Sequence, residues 1–123
     1  MEFNRRSPIY MQIITYFKEQ IASGEYSPGS EVPSRLELAV QFKINPNTAQ
    51  RAYKEMEEQG LIYTEGNSPS KITEDKTLIK DLRMALVDDA LVELLSIAKQ
   101  LNVSVAEITS RIEEKYQEDE TND

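Results

Sequence analysis

The stretch that decides the fold is SRLELAVQFKINPNTAQRAYKEMEEQG, residues 34–60, because it holds the start and end signals of two short helices. Ser34 and Glu37 have the S-x-x-E spacing of a capping box, which predicts a helix of about eight residues. Asn45 precedes a proline that the first helical turn tolerates, and Gly60 ends the second helix. Two short helices joined by about three residues match the helix-turn-helix pattern.

The second helix of this pair is expected to have one buried side and one cationic side. Its inward side chains are Ala49, Ala52, Tyr53 and Met56, and its outward ones are Asn47, Gln50, Arg51 and Lys54. Residues 43–54 contain three cations and no acid. Because a DNA-reading helix inserts its N-terminal part into the groove, this pattern favours DNA binding, with phosphates as the expected partners of Arg51 and Lys54.

The charge of the chain is unevenly distributed. The formal net charge is −8, but residues 1–72 hold 8 Lys/Arg and 9 Asp/Glu, whereas residues 73–123 hold 6 and 13. The acidity therefore lies almost entirely in the C-terminal part. A local positive surface on a nearly neutral domain can still meet phosphates.

Composition argues against most enzyme chemistries. The 123 residues include no histidine and no cysteine, which removes the usual soft metal ligands and the commonest general base. Asp88 and Asp89 are adjacent on a helix and point to different sides, so they are poorly placed to share a reacting atom. We expect no enzyme, no metal site and no cofactor. The chain also lacks a long apolar run and an export leader, so no membrane contact and a cytoplasmic location are expected.

Two further elements flank the helix-turn-helix. A first helix is predicted over about residues 8–23, with Ser7 as its cap, a proline at its first position and Gly24 as its terminator. After the helix pair, residues 61–65 have strand character and residues 71–73 can return beside them. These strands predict a small hairpin, or wing.

The C-terminal part is predicted to form two helices. From about Lys76 an apolar stripe recurs at helical spacing and is too broad for one small domain to cover, which favours a subunit interface. The candidate interface residues are Leu82, Leu86, Ala90, Leu94, Ile97 and Leu101. Ser104 and Glu107 make a second capping box, opening a last helix whose inward residues are Val105, Ile108 and Ile112. The tail QEDETND, residues 117–123, is expected to be solvated and frayed.

The predicted fold class is mainly α with a small β-hairpin. We expect a winged helix-turn-helix DNA-binding domain over residues 1–74, followed by a helical dimerisation region with an acidic tail over residues 75–123. Two helices cannot by themselves enclose a typical ligand cavity of about 300–1,000 Å³. Any small-molecule effector, its identity unknown, is expected to bind between subunits or between domains.

Three segments together resemble the GntR family of bacterial transcription regulators, and particularly its small YtrA-like branch. They are IYMQIITYFKEQIASGEYSPGSEVPS, LAVQFKINPNTAQRAYKEMEEQGLIYTEG and the short two-helix C-terminal region. The resemblance implies a homodimeric winged helix-turn-helix protein that binds a pseudo-palindromic operator in double-stranded DNA. It implies a repressor whose DNA affinity a ligand alters, often acting on a transporter operon.

The resemblance also implies roles for individual residues. Ser34 begins the helix that abuts the DNA backbone, and Gly66 lies in the wing tip. The recognition helix would start with Asn45, Asn47 and Thr48, with Gln50 and Arg51 on its groove side. The complete set of expected DNA contacts is Ser34, Arg35, Asn45, Asn47, Thr48, Gln50, Arg51, Lys54, Gly66 and Lys71.

Two positions depart from the family pattern. The family usually has arginine two residues after the serine, where this chain has Leu36, with Arg35 one place early. Its wing usually begins with a basic residue, where this chain has Glu65. The alternative function is a winged-helix module that binds only protein, which would not need residues 43–54 to be free of acid. The salt dependence of DNA binding separates the two functions.

Overall fold

The computed structural model describes residues 1–121, and within that range it contains five helices and one two-stranded antiparallel sheet. In chain order the elements are α1 (Ile9–Ser23), α2 (Arg35–Phe42), α3 (Pro46–Glu58), β1 (Ile62–Tyr63), β2 (Lys71–Ile72), α4 (Lys76–Gln100) and α5 (Val105–Thr121). The prediction of a mainly helical protein with a small hairpin is confirmed.

The helix-turn-helix is bounded by the predicted caps. Ser34 and Glu37 form both hydrogen bonds of the capping box at the start of α2. The Asn45 side chain accepts a hydrogen bond from the backbone N–H of Asn47, and a proline follows it at the first turn of α3. These bonds satisfy backbone donors that a helix start leaves without partners.

The start of α1 differs from the prediction. Pro8 is the N-cap residue, and no side chain caps the helix, so the expectation that Ser7 caps it is wrong. The reason is the backbone of Pro8: its ψ of 145° is not helical, so the helix begins one residue later than predicted and Ser7 stands before the cap position. The backbone carbonyl of Ser7 accepts a hydrogen bond from the Gln12 side-chain amide at 2.9 Å. The other end is as predicted, with Gly24 in the left-handed conformation at φ +86°.

The turn between α2 and α3 contains a strained residue. Lys43 has φ +56° and ψ +51°, the left-handed region that disfavours residues with a side chain by about 1–2 kcal/mol. The turn is fixed on both sides, because the N–H of Ile44 donates to the carbonyl of Ala39 and the Phe42 side chain packs against the core. Lys43 itself is exposed.

The first of two compact units covers residues 1–84, and its core is built around α3. Ala49, Ala52 and Tyr53 are fully buried where α1 and α2 pack against that helix. The two alanines allow close approach, while the tyrosine fills the centre of the core beside Phe17, ring centroids 5.9 Å apart. The predicted inward face of α3 is thereby confirmed.

The wing is shorter than its sequence pattern indicated. β1 and β2 have two residues each and pair with Ile62 opposite Ile72 and Tyr63 opposite Lys71. An isolated bridge joins Glu31 to Lys71, so the segment before α2 lies on the other side of β2. Both isoleucines are buried and anchor the hairpin in the core.

The second compact unit begins at Ala85, within α4, and includes α5. The backbone N–H of Glu107 donates to Ser104 Oγ at 3.2 Å, which is one of the two hydrogen bonds of the predicted capping box at the start of α5. Val105 was expected to point inward and is 72 % exposed, so that prediction is wrong. Val103 takes its place: it is half-buried, and its N–H donates to the carbonyl of Ala98 at the end of α4.

Helix α5 continues through 117–121 of the predicted frayed tail, and these residues are exposed. The last two residues of that tail, 122 and 123, lie outside the described residues. In the described part of the chain, no helix is both long and apolar enough to cross a membrane. Residues 1–121 also contain no cluster of three or more acidic side chains arranged to hold a metal ion.

Candidate nucleic-acid interface

The outer face of α3 presents the predicted polar surface. Asn47, Gln50, Arg51 and Lys54 are all exposed, while the opposite face is fully buried. The first acid of this helix is Glu55, so its first two turns carry no negative charge. Amide side chains can bond base edges and cations can bond phosphates, so this face has the chemistry of a DNA-reading surface.

Arg51 is held in place by a residue of α1. Its Cζ atom lies 3.8 Å from the centroid of the Tyr10 ring, and its Nη2 donates to the Tyr10 hydroxyl at 3.1 Å. Cation–π stacking of this kind restricts the arginine rotamers. The guanidinium is therefore presented beside the start of α3 instead of sampling many positions. Pro8, Asn47 and Thr48 line the same shallow cleft.

The start of α2 brings a second group of predicted contacts beside the wing. Ser34 Oγ accepts from the N–H of Glu37, so this side chain is engaged as a cap. Arg35 Nη2 pairs with Glu57 Oε1 at 2.8 Å, and its Cζ lies 5.1 Å from the Tyr53 ring centroid. Arg35 is thus tied to α3, so a phosphate contact would require it to share or leave Glu57.

Glu57 also connects α3 to the wing. Its Oε1 accepts a hydrogen bond from Thr64 Oγ1 at 3.0 Å, and that hydroxyl lies 2.6 Å from Ser70 Oγ. Burial raises the pKa of the neighbouring Tyr53 hydroxyl above its ordinary range, and this hydroxyl donates to the Pro33 carbonyl. The base of the wing is therefore fixed to the helix-turn-helix by polar contacts as well as by its buried isoleucines.

The wing tip is exposed over residues 65–69. Gly66 has φ +56°, and the Ser68 N–H donates to the Glu65 carbonyl, which closes a tight turn that needs a residue tolerant of positive φ. Lys71 lies in β2 and is half-buried. Glu65, the departure from the family pattern, is at the exposed tip.

The predicted interface residues of the C-terminal part lie in two settings. Leu82 is half-buried against the core of the first unit. Leu86 is half-buried and Ala90 is exposed. The other three line an open groove of about 510 Å³ between the end of α4 and α5: Leu94, Ile97 and Leu101.

This groove is mainly apolar, and its apolar side chains are exposed in the single chain. Ile97 is 50 % exposed, Leu101 67 % and Tyr116 68 %. Arg111 and Lys115 on α5 also contribute to its lining. The end of α4 and α5 thus form an open groove.

Sequence reasoning gave no role in the proposed DNA-binding surface to three residues: Tyr10, Gln12 and Glu57. Their partners are 41 residues away for Tyr10 and 22 for Glu57, so nothing in the local pattern signals these contacts.

Two helices joined by the three-residue turn 43–45, followed by a β-hairpin, form a winged helix-turn-helix, a class of DNA-binding proteins. The family described as bacterial regulatory proteins, gntR family, matches residues 9–72. The chain belongs to the GntR family, and its likeness to the repressor YtrA supports the YtrA-like subfamily. It is accordingly a DNA-binding regulator of transcription, in a family of regulators rather than enzymes.

Relatives cover almost the whole chain. The HTH-type transcriptional repressor YtrA of Bacillus subtilis (strain 168) is 36 % identical over 109 residues, 88 % of this chain and 84 % of YtrA. The uncharacterized HTH-type transcriptional regulator YhcF of the same organism is 32 % identical over 111 residues, 90 % and 92 % of the two chains. A GntR family transcriptional regulator from Listeria monocytogenes has a similar solved structure, with a TM-score of 0.81 and 33 % identity, covering 91 % of this chain and 98 % of that one.

Proposed function

We propose that the chain is a repressor that binds a pseudo-palindromic operator as a homodimer, with the exposed face of α3 as its recognition surface. The observation that carries this proposal is the first part of α3, where exposed amides and cations occur without any acid and Arg51 is held by Tyr10. The relative YtrA is named a transcriptional repressor, which supports the direction of regulation. A cytoplasmic location follows from this role.

Within that surface we assign base recognition and phosphate binding to different residues. Asn47 and Gln50 are exposed neutral donor–acceptor groups near the start of α3, suited to base edges in the major groove. Arg51 and Lys54 are exposed cations suited to phosphates. The side-chain oxygens of Ser34 and Asn45 cap helices. Contacts of these two residues with DNA would therefore use their backbone groups or the side-chain atoms that the cap bonds leave free.

The exposed apolar groove between α4 and α5 supports the dimer. Burying apolar surface yields about 25 cal/mol per Å², and a stable interface buries roughly 800 Å² on each partner. A second copy of the chain would cover Leu94, Ile97 and Leu101 and thereby join two DNA-binding units. Two recognition helices would then enter successive major grooves about 34 Å apart.

The target genes and the effector belong to the same proposal. The resemblance to the YtrA-like branch favours a transporter operon as the target. An effector would bind between subunits, because the groove of the second unit is open in the single chain.

DNA binding by the purified chain tests the proposal. The duplex is the region upstream of the gene that encodes the chain, searched for an inverted repeat, and the control is a random duplex of equal length. We expect binding at least about 10³-fold tighter to the repeat, two chains in each complex, and affinity that falls steeply with salt. A reporter placed behind the same region should be transcribed less when the chain is present.

Two results would contradict the proposal. Equal affinity for the two duplexes would remove operator recognition. If the chain does not bind DNA even at low salt, the alternative function of a protein-binding module is favoured, since the exposed cations then have no phosphate partner.

A further inference from the structure

We propose that residues 3–8 form an N-terminal hook that brings Arg5 and Arg6 to the DNA backbone beside the recognition helix. The hook would extend the DNA contact beyond the helix-turn-helix and the wing. This inference rests on the proposed DNA-binding function and adds a set of phosphate-binding residues to it.

The backbone of the hook is fixed by a single side chain of α1. Gln12 Nε2 donates to the carbonyls of Asn4 and Ser7, both at 2.9 Å, and Gln12 Oε1 accepts from the N–H of Asn4 at 3.0 Å. The N–H of Arg6 donates to Asn4 Oδ1 at 2.8 Å. The chain is therefore attached to α1 on both sides of the two arginines.

Both ends of the hook adjoin the helix-turn-helix. The ring of Phe3 packs edge-on against Phe42, the last residue of α2, with centroids 6.3 Å apart. Pro8 lines the cleft that contains Thr48 and Arg51 on α3. The hook thus runs from the end of α2 to the start of α3, next to the surface proposed to meet DNA.

The charge of the hook matches a polyanion. Arg5 and Arg6 are exposed, and residues 3–18 contain no acid. Together with Lys43 and Arg51 they give four exposed cations on the hook, the turn before α3 and the first part of α3. Arginine forms short, charge-assisted and often bidentate hydrogen bonds with phosphate. Because the backbone is already ordered, binding does not have to order it again.

The test replaces both arginines with glutamine, R5Q/R6Q, and measures affinity for the upstream duplex and a random duplex at several salt concentrations. We expect both affinities to fall about tenfold or more at 0.1 M salt. The slope of log affinity against log salt should fall by about two per half-site, since two fewer counterions are released. The matched control, K80Q/K99Q, removes two exposed cations of α4 and should leave the slope near that of the unmodified protein.

A second variant tests whether the position of Arg5 and Arg6 matters in addition to their charge. Gln12→Ala keeps both arginines but removes the three hydrogen bonds by which Gln12 fixes the hook, and we expect it to weaken binding to both duplexes several-fold. Thermal unfolding of every variant shows whether the first unit still folds. If Gln12→Ala binds both duplexes as tightly as the unmodified chain, Gln12 does not position the arginines for DNA.

The outcomes distinguish this inference from the proposed function. If the unmodified chain binds no DNA, the proposed function fails. If it binds DNA and R5Q/R6Q has the same salt slope as K80Q/K99Q, the hook alone is overturned and its arginines serve only as surface charges.

Discussion

Arg51 of α3 and Tyr10 of α1 form a stacked pair at the protein surface, with Cζ 3.8 Å from the ring centroid and a 3.1 Å hydrogen bond to the hydroxyl. The pair joins the helix proposed to read DNA to the helix that supports it. At an exposed site such stacking contributes about 0.5–1 kcal/mol. Its main effect is to present the guanidinium in one orientation.

Replacing Tyr10 with leucine should therefore weaken DNA binding by about 0.5–1 kcal/mol, because Arg51 would lose its preferred orientation. Tyr10→Phe is the matched control, since it keeps the ring and removes only the hydroxyl. Anisotropy titrations measure the affinity, and thermal unfolding is followed in parallel because Tyr10 also packs against the core. Equal affinities for the leucine variant and the unmodified chain would show that the stacking does not position Arg51.

The roles assigned along α3 differ in their dependence on DNA sequence. Asn47→Ala or Gln50→Ala should cost about 1–3 kcal/mol on the operator and little on random DNA, because the lost groups pair with base edges. Arg51→Ala should weaken both and lower the salt slope by about one per half-site. Titrations on both duplexes at several salt concentrations measure these effects. An Arg51→Ala variant that keeps the salt slope but loses sequence preference would reverse the assignment.

The wing tip has an acid where the family tends to have a cation. Glu65→Lys should tighten binding to every duplex, with little change of preference, because it removes repulsion from phosphates and adds attraction. Glu25→Lys makes the same charge change at an exposed position in the turn after α1 and is the control. If the two variants change DNA affinity by the same factor at low salt, the wing does not approach the DNA backbone.

The groove between α4 and α5 is the proposed subunit interface. Leu94→Glu should give monomers with much weaker operator binding, because a charge in the apolar contact opposes association and each half-site alone makes too few contacts. Ser96→Glu, at an exposed position of the same helix, should stay dimeric. Sedimentation measures both. An unmodified chain that is already monomeric at micromolar concentration would contradict the interface.

Much of the first unit could be predicted because its signals are local. The capping box of Ser34 and Glu37, the Asn45 cap and Gly24 act within a few residues, and each is found in the structure. The buried face of α3 follows from helical spacing, so its exposed face was also predictable.

The contacts that position functional side chains were not predictable in the same way. Arg51 meets Tyr10 and Arg35 meets Glu57 only after α1, α2 and α3 pack together, and a sequence pattern contains no distances between elements. The prediction that Ser7 caps α1 was wrong for the same reason. It relied on a local signal, a polar residue before a proline. Whether the helix includes Pro8 depends on the path of the residues before it, which Gln12 fixes through the backbone of Asn4 and Ser7.

The left-handed Lys43 has a consequence for the balance between folding and binding. Within residues 1–121, the other non-glycine residue with positive φ is Asn102, a type that tolerates this conformation, whereas the turn before α3 has a lysine. Lys43→Gly should raise the free energy of unfolding by about 1 kcal/mol and reduce DNA affinity by removing a cation. Thermal melts and DNA titrations would check the two effects. A variant with unchanged stability and unchanged DNA affinity would contradict both. A screen for heat resistance alone would therefore select against this lysine and yield sturdier proteins that bind their target less well.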